Sequence, residues 1–179
     1  MTKQELDTPA LLVDLNRMEA NLERMAGFFR TVPAKLRPHF KNHKCPDLAA
    51  RQLDAGAIGI TCATLREAEC LVHHGIRSVL LANEIVDSAR ILRFVDLARR
   101  ADVIVCVDNE KIAGDLARAG RDRGTQVNVL VDVDASQVST ASRLVGQEVL
   151  AIGRFTLRQL ANGANAWTFR AAEIRPHSR

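Results

Sequence analysis

A lysine amine attacks a carbonyl carbon only when its proton is off. The stretch of this sequence best arranged for that chemistry is Leu-Arg-Pro-His-Phe-Lys-Asn-His-Lys-Cys, from Leu36 to Cys45. Pro38 has no N–H and biases Arg37 away from the helical region, so the segment reads as a short extended strand. Alternation along that strand sends Arg37, His39 and Lys41 to one face and Leu36, Pro38 and Phe40 to the other. Lys41 then ends a cationic row. Neighbouring positive charge and partial shielding from water disfavour the ammonium and leave free amine for Schiff-base chemistry. His39, two residues earlier on the same face, is the companion candidate for proton handling or support of Lys41. A basic strand end with a solvated lysine has the same local pattern, so the surrounding chain must discriminate between the two.

The elements around this segment alternate regularly. Ala10 to Leu15 is an apolar run that reads as a first strand, and Asn16 is a suitable N-cap for the helix after it. From Arg17 to Phe29, Met18, Leu22, Met25 and Phe29 recur at helical spacing. Past Lys41, Pro46 starts a short helix closed by Gly56, Ile58 to Ala63 is a strand, and Thr64 with Glu67 forms a capping box for a helix ending at Gly75. Strands over Ser78 to Asn83, Asp102 to Asp108 and Thr125 to Asp134 come next, with helices over about Asp87 to Arg100 and Glu110 to Arg123 between them. Counted from the Lys41 segment, about five strands are each joined to the next by a helix, which requires a parallel sheet with right-handed crossovers. The rhythm fits a doubly wound sheet or part of a (β/α)₈ barrel. No Gly-x-Gly-x-x-Gly turn comes after a strand, so nothing favours a dinucleotide site.

In a barrel, chemistry collects at the C-terminal strand ends. Here those ends carry Lys41, Thr61 with Cys62, Asn83, Asp108, and Asp132 with Asp134. Thr61 and Asn83 are candidates for hydrogen bonds to a cofactor or substrate. Asp108 is expected to cap the helix that begins beside it, and His43 and Lys44 to be solvated loop residues. His73 and His74 precede Gly75 near a helix end, where imidazolium suits the dipole without any metal.

The 179 residues, 47% hydrophobic and 26% charged, suit one globular domain with a core. No apolar run approaches a membrane span and the N-terminus lacks a secretory core, so a cytoplasmic protein is expected. Cys45, Cys62, Cys70 and Cys106 are dispersed, with no Cys-x-x-Cys pair, and read as buried free thiols. The net charge of +4 is not spread over the chain. Residues 1–135 hold 19 basic and 19 acidic side chains, and the excess lies in 136–179, where six arginines meet two glutamates. Without aromatic interleaving or a reading motif, that segment argues against a nucleic-acid partner.

Four blocks decide between the rival readings of Lys41. Asp7 to Leu15 (DTPALLVDL), Arg37 to Cys45 (RPHFKNHKC), Thr61 to Glu69 (TCATLREAE) and Ala82 to Val86 (ANEIV) resemble the D-threonine aldolase and D-serine dehydratase family, in order and at matching spacing, from about Asp7 to Asp134. The resemblance implies the barrel of the alanine racemase N-terminal class, pyridoxal 5'-phosphate as cofactor, and Lys41 as the lysine that carries it. It implies a lyase acting on β-hydroxy-D-amino acids, with a small-molecule D-amino acid as partner, a homodimer as an option, and neither nucleic acid nor membrane. A divalent metal belongs to the family's chemistry, but its ligands are not found in this sequence.

After Asp134 the pattern departs. The family's arginine before Gly-Val, its later barrel strands, its glycine-rich phosphate segment and its C-terminal β-domain are not matched, and Arg143 does not have the spacing to stand for that arginine. Residues 1–135 are therefore expected to form a partial barrel, and 136–179 a divergent basic tail, with truncation or a frameshift as one explanation. Ser142 to Leu160 can be drawn as a weak helix interrupted by Gly146 and Gly153. An amino-acid racemase on the same barrel, a non-catalytic pyridoxal-phosphate-binding protein and an inactive truncated product are the alternatives.

Overall fold

The computed structural model describes residues 2–132 and the backbone of residues 151–159 and 165–174. Five α-helices alternate with four parallel strands. They are α1 (Leu15–Arg30), α2 (Pro46–Asp54), β1 (Ile60–Cys62), α3 (Leu65–His73), β2 (Ser78–Leu81), α4 (Ser88–Ala98), β3 (Asp102–Val107), α5 (Glu110–Asp122) and β4 (Asn128–Val131). Two further strands, β5 (Ala151–Gln159) and β6 (Asn165–Ile174), pair antiparallel as a separate sheet.

The strand order is β1-β2-β3-β4, without reversal, and every pair is parallel. A doubly wound sheet would reverse its order and place helices on both faces. Here one face carries nearly all the buried strand side chains, Cys106 being buried on the other. Ile60, Cys62, Val79, Leu81, Val103, Val105 and Val129 are almost inaccessible and form one cluster with Leu71, Ile91, Phe94, Val95 and Leu116 of the helices. On the opposite face Thr61, Leu80, Ile104 and Leu130 are only half-buried. This is one arc of a (β/α)₈ barrel, helices outside and barrel interior on the open side.

Local chemistry sets the boundaries. Thr64, Asp87 and Asn109 cap α3, α4 and α5 with side-chain oxygens that accept from the N–H three residues on. Pro46 occupies the first turn of α2, where its missing N–H costs nothing. Gly75 and Gly124 leave α3 and α5 with positive φ, which a side chain would oppose.

Several expectations are overturned. Ala10 to Leu15 forms no strand; Leu11, Leu12, Val13 and Leu15 are exposed, and the helix cap is Asp14, which accepts from Arg17 N–H at 3.1 Å, not Asn16. Helix α1 is amphipathic but has no fully buried residue, so it is not part of the core. Asp108 does not cap α5, because Asn109 one residue later has its oxygen 2.9 Å from Ile112 N. Residues 151–159, placed in a weak helix, are strand β5; 142–150 and Leu160 lie outside the described residues, as does Asp134. Among the described residues no helix is long and apolar enough to cross a membrane.

Close packing at the N-terminal edge of the arc depends on one missing methyl. Arg37 reaches across Gly59 and donates from Nη1 and Nη2 to Ser78 O (3.3 Å) and Ser78 Oγ (3.1 Å). A Cβ on Gly59 would lie 2.6 Å from Arg37 Cζ and 2.7 Å from Ser78 O. Gly59→Ala is expected to destabilise the chain by about 1–3 kcal/mol through overpacking, read as a lower urea midpoint at unchanged m-value.

Candidate active site

The chain from Leu36 enters beside β1. Ile58 N donates to Leu36 O at 2.9 Å, Thr61 N to Pro38 O at 2.8 Å, and His39 forms a single parallel bridge with Thr61. The expected strand stops there. At Phe40 the backbone turns into one 3₁₀ turn, Phe40–Asn42, so Lys41 is not on a strand face with Arg37 and His39. Arg37 instead points to Ser78 at the other end of the sheet.

Two histidines explain the turn. His39 Nδ1 accepts from Lys41 N at 3.2 Å, and His43 Nδ1 accepts from Cys45 N at 3.2 Å. Each side chain captures the N–H two residues on, as Asx turns do, and takes that donor away from a sheet ladder. Phe40 pins the turn from below. Its ring is buried and meets the His43 ring edge-on at 5.4 Å, while His43 Nε2 lies 3.3 Å from Gln52 Oε1 on α2. Lys41 is thereby held just past the C-terminal end of the bridge to β1, on the rim where barrel chemistry occurs. Its side chain is exposed rather than shielded, and no hydrogen bond or ion pair among the described residues engages its amine.

The electrostatics of the rim centre on Glu67, the one charged side chain buried among the described residues. Burial alone pushes its carboxyl up. Hydrogen bonds from the Ala63 and Thr64 backbone, and the Lys44 ammonium, outweigh that and hold it below the usual carboxylate range. Ala63 N donates to Oε2 at 2.8 Å and Lys44 Nζ lies 3.3 Å from Oε1. His39 is shifted down by burial and by the Lys41 charge, against a smaller opposing pull from Glu67. A neutral ring agrees with Nδ1 acting as acceptor. Burial, then the charge of Glu67, pushes the Cys62 thiol up to about 12; burial, then Asp132 and Glu84, pushes Cys106 up to about 11.

The other candidate residues do not converge on Lys41 equally. Thr61 Oγ1 donates to Arg37 O at 3.3 Å, binding the Lys41 segment to β1. Asn83, exposed past β2, donates to Ala63 O at 3.4 Å and accepts from Glu84 N at 3.0 Å. It lines a cavity of about 340 Å³ with Thr64, Arg66, Glu84, Arg90 and Arg93, whose lining does not include Lys41. Asp108 and Asp132 are exposed strand-end residues. His74 Nδ1 is engaged with Cys70 O at 2.8 Å. Sequence reasoning missed the Lys44–Glu67 pair: the Thr-x-x-Glu spacing marks Glu67 as a capping residue, and nothing in the sequence marks Lys44 as its partner.

A parallel barrel arc with a lysine-bearing turn beside its first strand defines a class of α/β barrel proteins, and comparison with known proteins makes the assignment specific. Residues 13–138 match the model of the alanine racemase N-terminal domain, and the chain belongs to that family. It is 42% identical over 132 residues to a D-threonine aldolase of an Arthrobacter species, covering 74% of this chain and 35% of that protein. It is 36% identical over 154 residues to the D-threo-3-hydroxyaspartate dehydratase of Delftia sp. strain HT23, covering 83% and 40%. The crystal structure of D-threonine aldolase from Filomicrobium marinum superposes with a TM-score of 0.70 at 42% identity, over 72% of this chain and 35% of that one. The chain thus spans about a third of the length of the relatives it matches.

Two outcomes are expected from these electrostatics. The His39 ring should titrate with a midpoint below 6.5 in a proton NMR titration. Because its folded value is depressed, its contribution to stability is complete above 6.5 and is lost as pH falls through the folded value. Urea unfolding at pH 7.5 and 5.5 should show a smaller loss in His39→Gln than in the parent chain. With thiols raised to about 12 and about 11, Cys62 and Cys106 should resist iodoacetamide at pH 8 in the folded chain and react once it is unfolded in urea, as mass spectrometry of the labelled peptides would show.

Proposed function

We propose that this chain is the cofactor-holding part of a pyridoxal-phosphate-dependent lyase acting on β-hydroxy-D-amino acids in the cytoplasm. The observation that carries the reading is Lys41: its amine has no hydrogen-bond or ion-pair partner among the described residues, and its backbone N–H is held by His39 on the rim of a racemase-type barrel arc. The substrate class is supported by what the relatives' names share. D-threonine and 3-hydroxy-D-aspartate are both D-amino acids with a hydroxyl on Cβ. Four free cysteines suit a reducing compartment.

The residues fit the cofactor at one end. Lys41 would hold the pyridoxal aldehyde, and Thr61, Leu80 and Ile104 lie on the half-buried face of the sheet. Thr61 keeps lone pairs to accept a hydrogen bond after donating to Arg37 O, and Asn83 stands exposed at the end of β2. When bound, pyridoxal phosphate supplies an electron sink for a bond broken at Cα. His39 keeps Nδ1 on the Lys41 N–H and orients the turn, and its neutral ring adds no positive charge beside the amine. Among the described residues no three His, Cys, Asp or Glu side chains converge.

Incubation with pyridoxal phosphate, reduction with borohydride and peptide mapping should give one adduct, on Lys41, that Lys41→Ala abolishes. Prior addition of D-threonine should lower its yield and L-threonine should not. Labelling scattered over Lys35, Lys44 and Lys111, or none, would refute the assignment.

A further inference from the structure

Lys44 is the only non-glycine residue with positive φ among the described residues, at 48°. That left-handed conformation is disfavoured for a residue with a Cβ, and it persists where the surrounding structure over-determines it. Two contacts do so here. Lys44 N donates to Phe40 O at 2.8 Å, closing the turn around Lys41 onto the buried Phe40. Its ammonium, largely exposed to solvent, reaches back to the buried carboxylate of Glu67 at 3.3 Å.

Glu67 is a fixed point. Its Oε2 accepts from Ala63 N at the end of β1, and its own N–H is held by Thr64 Oγ1 at 3.2 Å, at the start of α3. The carboxylate is therefore anchored to the end of the strand that His39 bridges, and it tethers the far side of the turn. His39 holds the turn before Lys41; Lys44 and Glu67 hold it after.

We infer that Lys44 and Glu67 are positioning residues for Lys41, an ion-pair latch that fixes where the cofactor amine stands on the rim. The inference rests on the reading of Lys41 as the cofactor lysine. Glycine would suit the backbone at position 44 better than lysine does, so Lys44→Gly removes the ion pair without straining the turn.

That difference gives the test. The full chain is compared as parent, Lys44→Gly, Lys44→Arg and Glu67→Gln, by pyridoxal-phosphate titration with borohydride trapping at Lys41 and by amide exchange across residues 40–45. Lys44→Gly should raise the cofactor concentration for half-maximal trapping about threefold, the scale of a partly exposed ion pair. Exchange in 40–45 should accelerate in that variant while β2 and β3 keep their protection. Lys44→Arg should restore both. Should Glu67→Gln unfold, Lys44→Gly and Lys44→Arg still decide, because they leave the Glu67 backbone contacts in place. Trapping and exchange in Lys44→Gly equal to the parent, with the parent adduct on Lys41, would overturn the latch alone. Absence of a Lys41 adduct in the parent would overturn the cofactor reading and the positioning role together.

Discussion

Parallel pairing is the constraint on which the rest of this molecule depends. A strand cannot return to run parallel to its predecessor without a crossover, so each of β1 to β3 leads into a helix, and every strand ends on the same rim. The crossover helices bury one sheet face completely. Polar side chains on the strands are then left to the strand ends or to the half-buried opposite face. Lys41, Thr61, Asn83 and Asp132 come together along the rim for this topological reason before any specific contact is made.

The parts of the fold that were legible in the sequence obey the same physics. Apolar β-branched runs, the cap at Thr64, Pro46 at a helix start and glycines at helix ends each report a local preference that agrees with the tertiary fold, and these elements lie close to where they were read. The errors fall where local signal and long-range packing part company. Ala10 to Leu15 has strand composition, but a strand needs a neighbour, and no described residue pairs with it. The segment before Lys41 has strand character until Phe40, where the core takes the ring and the two histidines take the backbone donors. Periodicity carries no information about such captures. Lys44 and Glu67 were hidden for a related reason: they are distant in sequence and joined only once β1 lies beside the turn.

The site also shows how a low-charge setting is built for an amine without burying it. Lys41 is exposed, so solvent screens it, yet the group nearest its backbone is an imidazole kept neutral by burial and by Lys41 itself. The negative charge of Glu67 is directed away, consumed by two backbone N–H groups and Lys44. Position is held by charged groups that do not compete for the amine.

The relatives bear on what a chain spanning about a third of their length encodes. A D-threonine aldolase aligns with 132 residues of this chain at 42% identity, and a D-threo-3-hydroxyaspartate dehydratase with 154 residues at 36%. One chain is thus similar to enzymes named for two different reactions. Within this chain, the described contacts fix the backbone of Lys41 at one place on the rim. The bridge at Thr61, the Phe40 anchor and the His39 cap all act on that single coordinate, and this is why they crowd into the few residues on either side of Lys41.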